Sequence, residues 1–397
     1  MKILQLCNKP PYPPLDGGSL AMNSITQGLL AAGHQVHVLT VRSDKHPVKE
    51  DLLTEQYKND THLRSVYVDL NVHPLDAFLA MMCGEAYHVK RYISNDFAEQ
   101  LIDLLSNEHF DIVHIETIFL TPYVEIIRKH SDAKIVLRAH NVEHQIWRQL
   151  ARNCKDPLKA WYMRHLSLTL RAYEIEHIND YDGIVCITQQ DANHFKTNGC
   201  RRPLTTIPFA IAPEPTTGID EEPASLFHIG SMDWQPNIDS IDWLLKDIWP
   251  RIHSEAPQAR LYLAGRKMPK RLLDYRAEGV SIIGEVPDAL YFIGSKQINI
   301  VPLRSGSGIR VKIIEAMSAA KTVIATTVAA QGIDYTDGQN ILIANTPNEF
   351  AAQVKRCVEE PGLCQRIGQN AYSLIVTQYE STTLTAQLVD FYNLLLV

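Results

Sequence analysis

The stretch RSGSGIRVKIIEAMSAAKTVIAT, residues 304–326, sets a glycine- and serine-rich turn, Arg310 and Lys312 directly before an apolar run. Ile309, Ile313, Ile314 and Met317 fall on one helical face, and TVIAT reads as a short buried strand. The pattern predicts a loop that opens a helix with Arg310 and Lys312 in its first turn. A helix start exposes backbone N–H groups and the positive end of the dipole, so two cations there ask for an anion. No Gly-Lys-Ser/Thr follows at Walker A spacing. The Ser/Gly run nevertheless leaves room for a diphosphate, whose charge Arg310 and Lys312 would meet. Glu315, further along the helix, would accept hydroxyls from a ribose. The alternative is a surface helix with a Lys312–Glu315 ion pair of little energetic weight.

Three other places hold residues of chemical interest. Gly17-Gly18 follows the first strand and precedes a helix, where backbone can come close to a phosphate; the plain alternative is a strand-to-helix turn. The dinucleotide fingerprint G-x-G-x-x-G is absent there. His140, in AHNVEH after the strand KIVLR, sits where a histidine can orient a reacting hydroxyl or phosphate. It is one of sixteen histidines, so a core role is the competing reading. His140 and His144 do not form H-E-x-x-H, and no third metal ligand is evident. The carboxylates of DYD (180–182) precede the strand GIVCI, at the wrong end of a parallel sheet for a ligand, and read as a solvated helix end.

These residues need strands to carry them, and the chain alternates strand and helix nearly throughout. Apolar runs at 2–6, 35–41, 64–70, 111–115, 134–139 and 183–187 read as strands, with helices near 19–32, 94–106, 120–130, 157–180 and 188–197. A second set of strands follows at 225–230, 259–264, 280–283, 297–301 and 322–325. Such alternation implies parallel sheets covered by helices on both faces. The segment 207–225 holds four prolines and an acidic cluster and has linker composition. The expected architecture is α/β, with two Rossmann-like domains, 1–208 and 209–380, and a last helix (381–397) that could pack on either domain, the first among them. Ligands of such sheets sit at the carboxyl ends of the strands, in a cleft between the domains.

Composition bounds the function. At 397 residues the chain exceeds one ordinary core. Apolar content of 45% and charged content of 21% are those of a globular protein. A net charge of −7 argues against a nucleic-acid partner held by bulk attraction. No apolar run is long enough to span a membrane, and the N-terminus MKILQLC reads as a strand, not a leader. Seven scattered cysteines without a C-x-x-C pair suit reduced thiols, so the expected location is cytoplasmic.

Taken together, the chain resembles the retaining glycosyltransferases of family four, built on the GT-B fold. VPLRSGSGIRVKIIEAMSAAKTVIATTVAAQGI (301–333) is similar to that family's donor-site segment. GSMDWQPNIDSIDWLL and the N-terminal PP..DGGS match branches that build exopolysaccharide or envelope glycans. The resemblance implies that a nucleotide-diphosphate sugar is the co-substrate and supplies the anion, with no further cofactor and no metal. Glu315 matches the second glutamate of the family's E-x7-E motif, which implies ribose contact. Ser307 stands where the first glutamate is expected. Gly17 and Gly18 match the loop against the diphosphate and acceptor, and His140 matches the histidine near the anomeric carbon. Gly230, Ser307, Gly308 and Ile309 complete the implied donor-binding set. The basic pair that relatives carry after the first strand of the second domain is missing from GSMDWQPN, and Arg310 and Lys312 are inferred to replace its charge.

The implied reaction is hexosyl transfer with retention to a glycan or lipid-linked acceptor. Residues 138–171 hold seven Arg/Lys against two acids, and LDAFLAMMCGEAYHVKRY (75–92) is apolar, then basic. Both stretches suit an acceptor at the inner membrane surface, with peripheral contact there; the alternative is a core helix beside a solvated basic face. Three rival functions remain at this level. A sugar-nucleotide 2-epimerase or hydrolase of the same fold would need no acceptor. A non-enzymatic two-domain solute-binding protein is disfavoured by the cationic helix start, and a nicotinamide-dependent oxidoreductase by the missing fingerprint.

Overall fold

The computed structural model describes residues 1–154, 156–210, 218–232, 234–305 and 308–397. The chain divides into two compact units, Met1–Ala210 with Ser381–Val397, and Ile211–Glu380. The first is built on a seven-stranded parallel sheet of β1 (Lys2–Cys7), β2 (Gln35–Arg42), β3 (Arg64–Tyr67), β4 (Ile112–Glu116), β5 (Lys134–Ala139), β6 (Gly183–Cys186) and β7 (Leu204–Thr206). Its order is β3-β2-β1-β4-β5-β6-β7. The second has six parallel strands, β8 (Ser225–Ile229), β9 (Arg260–Ala264), β10 (Val280–Gly284), β11 (Ile298–Val301), β12 (Thr322–Ala325) and β13 (Leu342–Ile343), in the order β10-β9-β8-β11-β12-β13. Both are doubly wound, the fold class the alternation predicts.

The near-continuous apolar runs follow from burial on both faces. In β1, Leu4 and Leu6 enter one core cluster while Ile3 and Cys7 enter the cluster on the other side. The expected strands appear with shifts of a few residues. β7 and β13, three and two residues long, are too short to show a period. The stretch near 120–130 opens as a 3-10 turn, Ile118–Tyr123, because Pro122 cannot donate to an α-helical ladder. The long helix expected at 157–180 runs Pro157–Glu176, and the helix Glu143–Asn153 before it begins within the HNVEH segment.

The last helix, Ser381–Leu396, belongs to the first unit. Leu384, Leu388, Phe391, Tyr392 and Leu395 enter the core between the sheet and the helix Gly17–Ala31. Two glycines make room for it. A Cβ at Gly28 would lie 2.2 Å from Thr385 Oγ1, and one at Gly183 2.8 Å from both Leu395 Cδ1 and Phe391 Cζ. Burying five such side chains supplies on the order of 10 kcal/mol of transfer free energy, enough to fix the helix there.

The close approach that matters most for the second unit lies between the ends of β8 and β9. Gly265 sits at φ +152, and a Cβ there would fall 1.8 Å from Gly230 O. Gly265→Ala combines backbone strain with a backbone clash and is expected to destabilise the second unit by at least about 2–4 kcal/mol. Urea unfolding followed by tryptophan fluorescence checks this; an unchanged midpoint would mean that the two strand ends separate at little cost.

Candidate functional site

In the second unit, β8 ends at Ile229 and Gly230 follows, while β11 ends at Val301 before the Ser/Gly loop and the helix Val311–Ser318. Ser307 lies outside the described residues. Gly308 is at φ +73, a conformation glycine adopts without cost. Its carbonyl accepts a hydrogen bond from Arg310 Nη1 at 2.7 Å. Arg310 does not lie in the first helical turn, as expected from sequence, but one residue earlier, as the N-cap. Its extended backbone turns the side chain back over the loop. It is nearly buried, with its guanidinium carbon 5.7 Å from the centre of the Trp234 ring. Ile309, beside it, is half-buried.

Lys312 is in the first turn. It makes no ion pair with Glu315; its Nζ donates to Asn237 Oδ1 at 2.7 Å and approaches His228 Nε2 at 3.1 Å. His228 is fully buried with Nδ1 2.9 Å from Ile300 O. A carbonyl only accepts, so Nδ1 carries the proton and Nε2 is the acceptor for Lys312. Asn237 is oriented in turn by donating from Nδ2 to Ser231 O at 2.7 Å. Burial, and then the neighbouring Arg310, push the Lys312 ammonium down to about 7, with Glu315 opposing. Burial likewise raises the Glu315 carboxyl, which makes no hydrogen bond or ion pair with any described residue. Gly230 is the floor of this arrangement: a Cβ there would meet Lys312 Nζ at 2.6 Å and Asn237 Nδ2 at 3.0 Å. The result is a titratable ammonium at a helix start, with a carboxylate three residues on that no described residue engages. That is the chemistry of a site for a polyanion carrying vicinal hydroxyls.

In the first unit, His140 follows β5 and is only slightly exposed. Its Nε2 lies 2.6 Å from Glu116 Oε2. Glu116 is fully buried at the end of β4, and its Oε1 accepts from Gln5 Nε2 at 2.7 Å. Thr26 donates to Gln5 Oε1 at 2.6 Å. His114 Nε2 lies 3.3 Å from Glu116 Oε1, and its Nδ1 lies 2.6 Å from the hydroxyl of Tyr392, on the last helix. Burial alone would raise the Glu116 carboxyl, but the imidazoles of His114 and then His140 hold it well below the usual carboxylate range. An ionised Glu116 only accepts, so His140 presents Nε2–H to it. His140 Nδ1 makes no hydrogen bond to any described residue. Arg138 is also fully buried, and its three nitrogens find no hydrogen-bond partner among the described residues. Burial lowers its pKa, with Glu116 opposing.

The remainder of HNVEH is structural in part. His144 Nδ1 bonds to Glu174 Oε2, and Glu174 Oε1 accepts from the Glu143 N–H at 2.8 Å, capping the 143–153 helix. Burial, then the Glu174 carboxylate, push Glu143 up to about 8, leaving a protonated carboxyl at neutral pH close in sequence to His140. DYD is likewise engaged: Asp182 accepts from Ile135 N and Arg128 Nη1, both at 2.7 Å. Among the described residues no group of three or more His, Cys, Asp or Glu converges as a metal site would. Gly17 and Gly18 form the first turn of the 17–31 helix, whose start already holds a carboxylate. Asp16 caps it in a reciprocal box with Ser19 and pairs with Lys9 at 2.6 Å.

Sequence reasoning did not find Glu116, Arg138, His114, Gln5, Tyr392, His228 or Asn237. A signal for four of them exists. Gln5 pairs in register with His114, and Glu116 with Arg138. They are polar residues at period two inside apolar strands, so strand pairing gathers them on one face.

A profile described as Glycosyltransferase Family 4 matches residues 15–214. The chain belongs to that family. A second profile, glycosyl transferases group 1, matches residues 223–360. Over 395 residues the family-4 chain is 23% identical to an uncharacterized 44.6 kDa protein in the cps region of Klebsiella pneumoniae, covering 96% of this chain and 97% of the other. In fold it is similar to Anabaena HepE, whose crystal structure contains UDP. The TM-score is 0.68 at 15% identity, over 99% of this chain and 100% of HepE. It is similar also to the sucrose-phosphate synthase of Thermosynechococcus elongatus, with a TM-score of 0.68 at 15% identity, over 100% and 99% of the two chains. The protein is a glycosyltransferase of GT-B type.

Proposed function

We propose that the protein transfers a hexosyl group from a nucleoside diphosphate sugar to a hydroxyl of a glycan or lipid-linked acceptor, with retention of configuration. The observation that carries this is Lys312, held by Asn237 and His228 at the start of the 311–318 helix beside the unpaired carboxylate of Glu315. Lys312, Arg310 and the helix start meet the diphosphate, and Glu315 accepts from the ribose hydroxyls. His140, aligned by Glu116, acts at the sugar. The UDP in HepE makes uridine the first nucleoside to test, and a relative in a cps region supports an envelope or exopolysaccharide acceptor. The leaving diphosphate takes the acceptor proton on the same face of the sugar. The chain's work is to stabilise the departing charge and the oxocarbenium-like state, an electrostatic task. With two cations at the diphosphate, transfer proceeds without a metal.

A thermal-shift panel of nucleoside diphosphates and their sugars tests the donor. A ligand at a hundred times its dissociation constant stabilises by about 2.7 kcal/mol. Product anomer by NMR, with and without EDTA, tests the reaction. An α-linked donor is expected to give an α-linked product at an unchanged rate in chelator. An inverted linkage would reject retention, and activity that needs added magnesium would reject the cationic diphosphate site as sufficient. Release of free sugar without transfer would favour the hydrolase reading.

A further inference from the structure

The helix Pro74–Cys83 in the first unit is inside out. Ala77 and Ala80 face the protein, at 8% and 0% exposure. Leu75, Phe78, Leu79 and Met82 are 79%, 55%, 57% and 69% exposed. Their spacing, i, i+3, i+4 and i+7, puts all four on one face. A helix in water normally turns its large apolar residues inward, so this face is built to meet something.

Its neighbours extend the surface. Ala77 and Ala80 pack with Leu166, and Trp147 and Tyr162 lie against the same cluster. The 143–153 and 157–176 helices therefore flank the 74–83 helix. On the 157–176 helix, Leu158, Trp161 and Leu168 are exposed in a second apolar stripe, next to the Tyr162/Leu166 side. Arg164 and Arg171, seven residues apart and both exposed, border that stripe. Arg148 and Arg152, one turn apart, are exposed on the 143–153 helix, whose Trp147 reaches the shared cluster. Lys159 is exposed as well, against exposed Asp156 and Glu176 on these two helices. The acids beside the 74–83 helix are Asp69, Asp76 and Glu85; Asp69 is paired with His73 and Glu85 with Lys90. A chain of net charge −7 thus gathers exposed cations beside two exposed apolar stripes.

We infer that this face docks on an anionic phospholipid bilayer, with the 74–83 helix entering the headgroup layer and the arginines of the flanking helices contacting lipid phosphates. Amphipathic helices bind by this combination of apolar burial and charge attraction, and Trp161 suits the interface. A second copy meeting the same face across a two-fold axis would set these cations against themselves. Among the described residues no helix is long and apolar enough to cross a membrane. The docking gives the proposed acceptor a lipid-linked character and rests on the proposed function only for that use; the binding itself does not depend on it.

Co-sedimentation with vesicles tests this. Wild-type protein is expected to bind phosphatidylcholine vesicles containing about one third phosphatidylglycerol at least about tenfold more tightly than phosphatidylcholine alone, and to release as salt rises. Phe78→Asp with Leu79→Asp should abolish binding to both. Arg148→Glu with Arg152→Glu should reduce the anionic vesicles to the level of the neutral ones. Both variants change exposed side chains, so melting temperature and nucleotide-sugar affinity should hold. No binding to anionic vesicles, or binding that neither variant weakens, overturns the inference. So does a wild-type dimer in light scattering that Phe78→Asp with Leu79→Asp splits. Vesicle binding that survives alongside a complete failure to bind nucleotide sugars would sink the proposed function and leave the docking surface standing.

Discussion

Replacing His140 by alanine is expected to lower turnover by roughly 10²–10⁴-fold while leaving the fold and nucleotide affinity intact. The side chain is held by a fully buried, ionised carboxylate 2.6 Å away, and its second ring nitrogen makes no bond to the described residues. Glu116→Gln keeps the shape but offers His140 an amide in place of the anion, so it should lower kcat with little change in the KM for the donor. Tyr392→Phe removes the hydroxyl that bonds His114 and should give a smaller loss of the same kind. Steady-state kinetics beside thermal melts separate the readings. If turnover holds in His140→Ala and the protein only melts earlier, His140 is a core residue and the site must be rebuilt without it.

Affinity for a nucleotide sugar is expected to fall as pH rises above about 7, by up to about tenfold per unit, because binding an anion requires Lys312 to be protonated. Its ammonium sits at about 7 in the protein alone, lowered by burial and by Arg310. A bound diphosphate raises it, so binding takes up a proton in that window. Calorimetry in two buffers of different ionisation enthalpy measures the uptake directly. Lys312→Ala should cost on the order of 1.5–3 kcal/mol of binding at pH 6 and much less at pH 9. Lys312→Arg should flatten the profile, since arginine stays charged. Folding stability runs in the opposite sense. A lysine with a lowered folded-state pKa binds its proton more readily when unfolded, so the ligand-free protein should gain stability as pH rises from about 7 toward the ordinary lysine value. A proton uptake of zero at pH 8 would remove Lys312 from the anion site.

The sequence by itself determined the fold class, because strand–helix alternation with apolar runs admits few solutions other than doubly wound parallel sheets. It also marked the Ser/Gly loop, Arg310, Lys312 and Glu315 as a unit, since all lie within eleven residues and a helix start ties them together. Gly230 and His140 were legible because they directly follow apolar strands. What Lys312 does was not legible. A local reading pairs it with Glu315; the structure turns it to Asn237 and His228, which are 75 and 84 residues away in the chain. That choice depends on β8 lying beside β11, a long-range pairing that no local pattern encodes. The carboxylate behind His140 was hidden for the same reason. Glu116 lies 24 residues before it, and Tyr392 reaches His114 across 278 residues. Only the docking of the last helix, through the space left by Gly28 and Gly183, closes that network. The 74–83 helix shows the converse limit. Its apolar periodicity is plain in the sequence, but period alone fixes which residues share a face, not which face is turned inward. Packing against Tyr87 and Leu166 decided that the small alanines went in and the large side chains stayed out.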